Sequence, residues 1–187
     1  DLDRILYLDV DIIVRGDLAP LWKIDLDDFY CAGVVDFKCD KNGHKFVLGM
    51  SDSDVYVNSG VLLHNLGKIR EDKKSQELFA DTFNLKDIIK YADQDVINFT
   101  YRGSVKAIDS IYNFGSSYVN RQFWKRHKAV IIHYLGKTKP WRKWNPLRLH
   151  EVYYRFERQM KHILGEPYSL LGMVIHRVFV VRFSAKK

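Results

Sequence analysis

The run RILYLDVDIIV, residues 4–14, constrains the fold more than any other part of this chain. Five residues suited to a buried strand lead into two carboxylates, Asp9 and Asp11, and the apolar residues resume at once. A bare carboxylate in such a setting costs several kcal/mol to bury, so these two must be ion-paired, hydrogen-bonded or metal-bound. The C-terminal end of a strand in an open α/β sheet faces the ligand crevice. Carboxylates placed there, with water and phosphate oxygens, make a hard-ligand site suited to Mg²⁺ or Mn²⁺. Spacing alone does not single them out, because Asp-x-Asp also occurs at Asp1/Asp3, Asp25/Asp27, Asp52/Asp54 and Asp93/Asp95. Only Asp9/Asp11 follow an apolar strand run. The competing reading is a pair of capping or turn aspartates at a strand end.

Strand-like runs recur at YCAGVVD (30–36), SGVLLHN (59–65) and AVIIHYLG (129–136), and helical spacing is expected near 17–24, 73–83, 95–101 and 146–164. That alternation is α/β organisation. With 187 residues, 47% of them hydrophobic, the chain can bury a core of one domain. The division expected is a catalytic domain over 1–145 and a helical, basic and apolar appendage over 146–187. Residues 36–54, polar and without periodicity, read as a long functional loop. Pro20 and Trp22 fit a short helix packed on the sheet. Leu149, Val152, Tyr153, Phe156 and Met160 form the apolar stripe of the last helix, which docks rather than binds a cofactor.

Cys31 and Cys39 have no metal-type spacing and make no disulfide framework, so a reducing compartment is the default. The formal net charge of +7 asks for an anionic partner. The tail SLLGMVIHRVFVVRFSAKK (169–187) is interrupted by His176, Arg177 and Arg182 and falls short of the ~20 apolar residues a bilayer span needs. It suits a membrane-surface segment as well as a core-packing end. The chain opens at Asp1 directly ahead of a strand, so upstream residues are expected to have been removed or left out.

Three further clusters carry chemistry. YVNSGVLLHNL (56–66) sets Asn58, Ser59 and Gly60 ahead of an apolar strand. YADQDVINF (91–99) packs two acids and an amide before an amphipathic helix, which alone is no more than an N-terminal cap. IIHYLGKTKPW (131–141) ends a strand at His133 and then offers Gly136, Lys137 and Lys139. The remaining histidines, His44, His64, His127, His150, His162 and His176, read as surface or core residues.

Taken in order, LYLDVDIIV, YVNSGVLLHNL, DQDVINF and HYLGKTKPW resemble glycosyltransferase family 8, which includes bacterial lipooligosaccharide and lipopolysaccharide galactosyl- and glucosyltransferases. The resemblance covers residues 4–144. It implies the C-terminal two-thirds of a GT-A fold, a mixed sheet flanked by helices, without the N-terminal part that holds the nucleoside base. It implies a retaining transfer of galactose or glucose from a UDP-sugar to a saccharide or glycolipid acceptor. The metal ligands implied are Asp9, Asp11 and His133, holding Mn²⁺, with Mg²⁺ as the alternative. Donor contacts fall on Val10, Asn58, Ser59, Asp93, Gly136 and Lys139, and the catalytic positions on Gln94 and Asp93. Gln94 is an amide and a poor nucleophile, so a front-face displacement is expected, with the leaving phosphate helping to deprotonate the acceptor.

Two other classes compete. A Mg²⁺-dependent phosphatase of the haloacid-dehalogenase type also begins from an apolar strand ending in Asp-x-Asp. It normally has Thr or Val two residues beyond the second Asp, where this chain has Ile13, and a later Asp-Asp pair that is not obvious here. A non-catalytic module could use the aromatic and basic runs RQFWKRHK and KPWRKW to bind nucleic acid. No nucleic-acid motif accompanies them, so the charge is assigned to a membrane surface and an anionic glycolipid acceptor. The location expected is the cytoplasm, peripheral on the inner membrane.

Overall fold

The computed structural model describes residues 2–115, 129–136, 139–140 and 148–164. Its elements are β1 (Arg4–Leu8), β2 (Ile12–Val14), α1 (Ala19–Trp22), β3 (Cys31–Val35), α2 (Phe37–Lys41), α3 (His44–Val47) and β4 (Val57–Asn65). There follow α4 (Leu66–Glu71), α5 (Lys74–Asn84), α6 (Asp93–Thr100), β5 (Val105–Ala107), a 3₁₀ turn (Ser110–Tyr112), β6 (Phe114–Gly115), β7 (Ile131–His133) and α7 (Arg148–Leu164).

Two mixed sheets result. The larger has strand order β1-β4-β3-β5, antiparallel except for the parallel pair β3 and β5. The smaller has order β2-β7-β6, with β2 antiparallel and β6 parallel to β7. The chain leaves one sheet and enters the other across three residues, Asp9-Val10-Asp11. The carboxylates of the opening motif therefore sit on the seam between the sheets.

The apolar run of β4 is explained by burial on both faces. Val61 and Leu63 pack with Leu6, Leu21 and Ile131 on one side, while Leu62 packs with Cys31, Ile69 and Val105 on the other. The strand pleat sends alternate residues to opposite faces, so a central strand needs apolar side chains at consecutive positions. Helix α1 covers the first core with Leu21 and Trp22 and carries a proline in its first turn, as expected. On α7, Val152 and Tyr153 close over Phe114 and Ile132 of the smaller sheet and over Tyr134 just beyond it. Leu149 and residues 146–147 lie outside what can be described at the side-chain level.

The segment 36–54, expected as a long loop without periodicity, has helical structure of its own. It holds α2 and α3 and buries Cys39, Leu48 and Met50 against Tyr56. Asp36 caps α2, its Oδ1 accepting from the N–H groups of Lys38 and Cys39 at 3.1 and 3.2 Å. Helices of four and five residues are too short to print a helical period in the sequence. Strands β2, β5 and β6, at two or three residues, escaped notice for the same reason.

Candidate active site at the seam between the sheets

Asp9 leaves β1 with its backbone N–H bonded to Gly60 O at 2.8 Å, and Asp11 O accepts from Tyr134 N at 2.9 Å. These bonds tie one carboxylate to each sheet. His133 ends β7 opposite Ile12 and is 2% exposed. Its Nε2 lies 3.1 Å from Asp11 Oδ1 and 3.5 Å from Asp9 Oδ2. Ligand atoms of the three residues fall within 4.8 Å of one another. Lys139 donates to Asp11 Oδ2 and to Tyr134 O. Tyr7 donates to Asp9 Oδ1 at 2.9 Å.

The close packing requires glycine at residue 60. A Cβ there would lie 2.7 Å from His133 Nδ1 and 2.8 Å from Asp9 Oδ2, and closer still to His133 Cε1. Burial alone would raise the Asp11 carboxyl; the hydrogen bond and charge of His133, joined by those of Lys139, outweigh it and lower the group to about 2. Burial, then the bond to Asp9, raises the Tyr7 phenol to about 12.

The donor set fits a divalent cation. Two carboxylates and one imidazole bring possible ligand atoms within 4.8 Å of one another, and His133 Nδ1 is engaged by Asn113 Oδ1 at 2.9 Å. An imidazole tied at one nitrogen presents the other in a set direction, as metal-binding histidines commonly do.

Behind this cluster runs a chain of side-chain amides. Asn113 Nδ2 donates to Asn58 Oδ1 at 2.8 Å, and Asn58 Nδ2 donates to Gln94 Oε1 at 2.9 Å. Gln94 Oε1 also accepts from Ser59 N at 3.1 Å. Gln94 Nε2 reaches Asp36 Oδ2 and the Tyr56 hydroxyl, both at 3.2 Å. Helix α6 is held in place by Asn98, whose amide pairs with both the N–H and the C=O of Val57 at 2.7 and 2.8 Å. The side chain thus acts as one more strand neighbour for β4. Ala92, just before α6, has φ 47° and ψ −123°, a backbone setting suited to glycine. That strain accompanies the aiming of Asp93 and Gln94, as is common at functional sites.

The expected site residues therefore divide. Asp9, Asp11, His133, Lys139, Asn58, Ser59 and Gln94 form one connected cluster. Val10, 62% exposed, together with exposed Asp93 and Gly136, stands outside its hydrogen bonds. Lys137 and Trp141 lie outside the described residues. Sequence reasoning missed Asn113, Asp36, Tyr56 and Tyr7 as members of the site. His44, expected as an ordinary surface or core residue, is buried and bonded to Asp95 at 2.8 Å.

A cavity of about 290 Å³ opens beside the amide chain, lined by Asp36, Phe37, Asn58, Asn113 and Leu135 among others. It offers a carboxylate, two side-chain amides and an exposed phenyl ring.

The profile of Glycosyl transferase family 8 matches residues 1–145. The chain belongs to glycosyl transferase family 8. Among relatives in the family, the lipopolysaccharide 1,2-glucosyltransferase of Escherichia coli K12 is 32% identical, aligned over all of this chain and 64% of its own length. The galactosyltransferase LgtC, solved in complex with donor and acceptor sugar analogues, superimposes with a TM-score of 0.73 at 31% identity, over 90% of this chain and 64% of LgtC. An active-site mutant of LgtC superimposes with a TM-score of 0.76 at 29% identity, over 92% of this chain and 66% of that one. The chain thus spans just under two-thirds of the length of these relatives. The fold is the expected GT-A arrangement of mixed sheets flanked by helices, in part.

Proposed function

We propose that this chain carries the catalytic centre of a metal-dependent retaining glycosyltransferase. It moves galactose or glucose from a UDP-sugar to a saccharide acceptor of a lipopolysaccharide or other surface glycan. The observation that carries the reading is the convergence of Asp9, Asp11 and His133 within 4.8 Å, one amide chain away from Gln94. Asp9, Asp11 and His133 would hold Mn²⁺ or Mg²⁺, which when bound supplies positive charge to the diphosphate leaving group.

The protein groups have separate tasks. Lys139 adds a second positive charge for the diphosphate, with Gly136 beside it. Val10, exposed between the two ligands, contributes backbone near the donor ribose. Asn58, Ser59 and Asp93 hold the donor hexose, and the acceptor enters the cavity beside Asp36 and Phe37. Gln94 places its amide oxygen against the sugar carbon as positive charge develops there. The C1–O bond to phosphate breaks, the acceptor oxygen bonds to C1 on the same face, and the acceptor proton passes to the departing phosphate oxygen. A covalent sugar adduct on Asp93, trapped and found by mass spectrometry, would replace this front-face route by a double displacement.

The test is release of UDP from a panel of UDP-sugars by this chain with Mn²⁺, alongside EDTA treatment and the Asp11→Ala variant. Turnover of one donor, abolished in both controls, is expected and names the sugar. A folded, Mn²⁺-binding chain that turns over none of them counts against the transferase reading while leaving the fold in place.

Residues 169–187, outside the described residues, are proposed to hold the protein on the cytoplasmic face of the inner membrane. No helix among the described residues is long and apolar enough to cross one. Deleting 169–187 is expected to abolish sedimentation with vesicles containing anionic lipid, and unchanged sedimentation would refute the anchor.

A further inference from the structure

The polarity of the amide chain is set by backbone donors. The N–H of Gly60 donates to one end of the Asn58 amide at 3.1 Å, which identifies that end as the oxygen. Asn113 meets the same oxygen at 2.8 Å, so it must present its Nδ2 there and turn its Oδ1 toward His133. His133 Nδ1, 2.9 Å from that oxygen, must then carry the ring proton. Nε2 is the ring nitrogen left facing Asp11 and Asp9, at 3.1 and 3.5 Å. On the far side the same logic applies. Ser59 N–H identifies Gln94 Oε1, so Gln94 Nε2 faces the carboxylate of Asp36, which can only accept. Every link therefore donates in one direction, from the imidazole to Asp36.

Asn113 is the residue on which both halves of this arrangement turn. It is 5% exposed, sits directly after the 3₁₀ turn, and is separated by 20 residues from His133 and by 55 from Asn58. We propose that Asn113 is a positioning residue with two outputs. Its oxygen fixes the His133 tautomer that presents Nε2 to a cation, and its NH₂ group joins the Gly60 N–H in holding the Asn58 amide that donates to Gln94. The cation site and the amide that faces the sugar are thereby linked through one side chain. The inference rests on the cation-site reading given under the proposed function.

Two substitutions separate the outputs. Asn113→Ala removes both. Asn113→Asp keeps an oxygen for His133 Nδ1–H but has no donor for Asn58. The readouts are Mn²⁺ affinity by electron paramagnetic resonance, the His133 tautomer by long-range ¹H–¹⁵N correlation without metal, and kcat for UDP release, with folding checked by near-ultraviolet circular dichroism.

Asn113→Ala is expected to weaken Mn²⁺ binding about 10- to 100-fold and to lose the fixed Nδ1–H tautomer. Asn113→Asp is expected to retain both and to lower kcat about tenfold or more. A folded Asn113→Ala protein with the parental tautomer and Mn²⁺ affinity overturns the proposal. So does an Asn113→Asp protein as weak for Mn²⁺ as the alanine variant. A parent that binds no Mn²⁺ yet shows the tautomer, lost in Asn113→Ala, would sink the cation reading and leave the positioning role standing.

Discussion

Asp11 and Asp95 each close an Asp-x-Asp pair and each faces a histidine, His133 at 3.1 Å and His44 at 2.8 Å. Their surroundings separate them. Asp95 is fully buried, and its two oxygens accept from Tyr56 OH, His44 Nε2 and the backbone N–H groups of Lys90 and Tyr91. Burial would raise this carboxyl, but those donors together lower it. Asp11 keeps partial access to solvent, and its partners His133 and Lys139 belong to the site itself. A carboxylate whose lone pairs are met from within the fold holds the fold together. One whose neighbours are themselves ligand-directed groups is set for something from outside.

That contrast is open to attack from both sides. The largest expected effect is on Asp11→Ala, with UDP release falling about a thousandfold or more while thermal stability stays near the parent's, as for loss of an interaction made mainly in the transition state. Asp95→Ala should show the opposite profile, losing about 3 kcal/mol or more in urea unfolding because two buried donors, Tyr56 OH and His44 Nε2, and two partly buried backbone N–H groups are left without their acceptor. Equal stability losses in the two variants would erase the distinction.

Gly60→Ala tests the close approach between the sheets. With a methyl group driven against His133 and Asp9, Mn²⁺ affinity is expected to fall about 10- to 100-fold, measured by calorimetry, with a smaller change in melting temperature. Parental affinity would mean that His133 has room the geometry does not show.

His64 supplies the smallest and most general test. Burial lowers its imidazole from 6.5 to about 4. The unfolded chain takes up the proton first, so the stability carried by the neutral ring is complete above pH 6.5 and drains away as pH falls toward 4. His64→Phe, which keeps a ring against Tyr101, is expected to flatten that decline by about 1–2 kcal/mol at its lower end. An unchanged slope would place the acid sensitivity elsewhere.

The parts legible in the sequence were those written in consecutive residues. Strands β1 and β4 announce themselves because an apolar run is the direct image of a buried strand. Asp9 and Asp11 stand out because they break such a run. The rest of the site is written across distance. Asn113 and Asn58 lie 55 residues apart, and Gln94 and Asp36 58 apart. A lone asparagine or aspartate carries no local signal of the partner that folding brings to it. DFKCDK did contain a trace of α2, since an aspartate two and three residues before bare N–H groups is a helix-capping pattern. His44 had no such trace, because its pairing with Asp95 depends on how α3 and α6 meet.

The passage of the chain from one sheet to the other through Asp9-Val10-Asp11 has a mechanical consequence. His133 belongs to the smaller sheet, Gly60 to the larger, and the two aspartates to the strip that joins them. An ion gripped by those three side chains would act as a rivet through the joint. Sliding of one sheet against the other would pull the ligands apart, so resistance to that shear and affinity for the ion would rise and fall together.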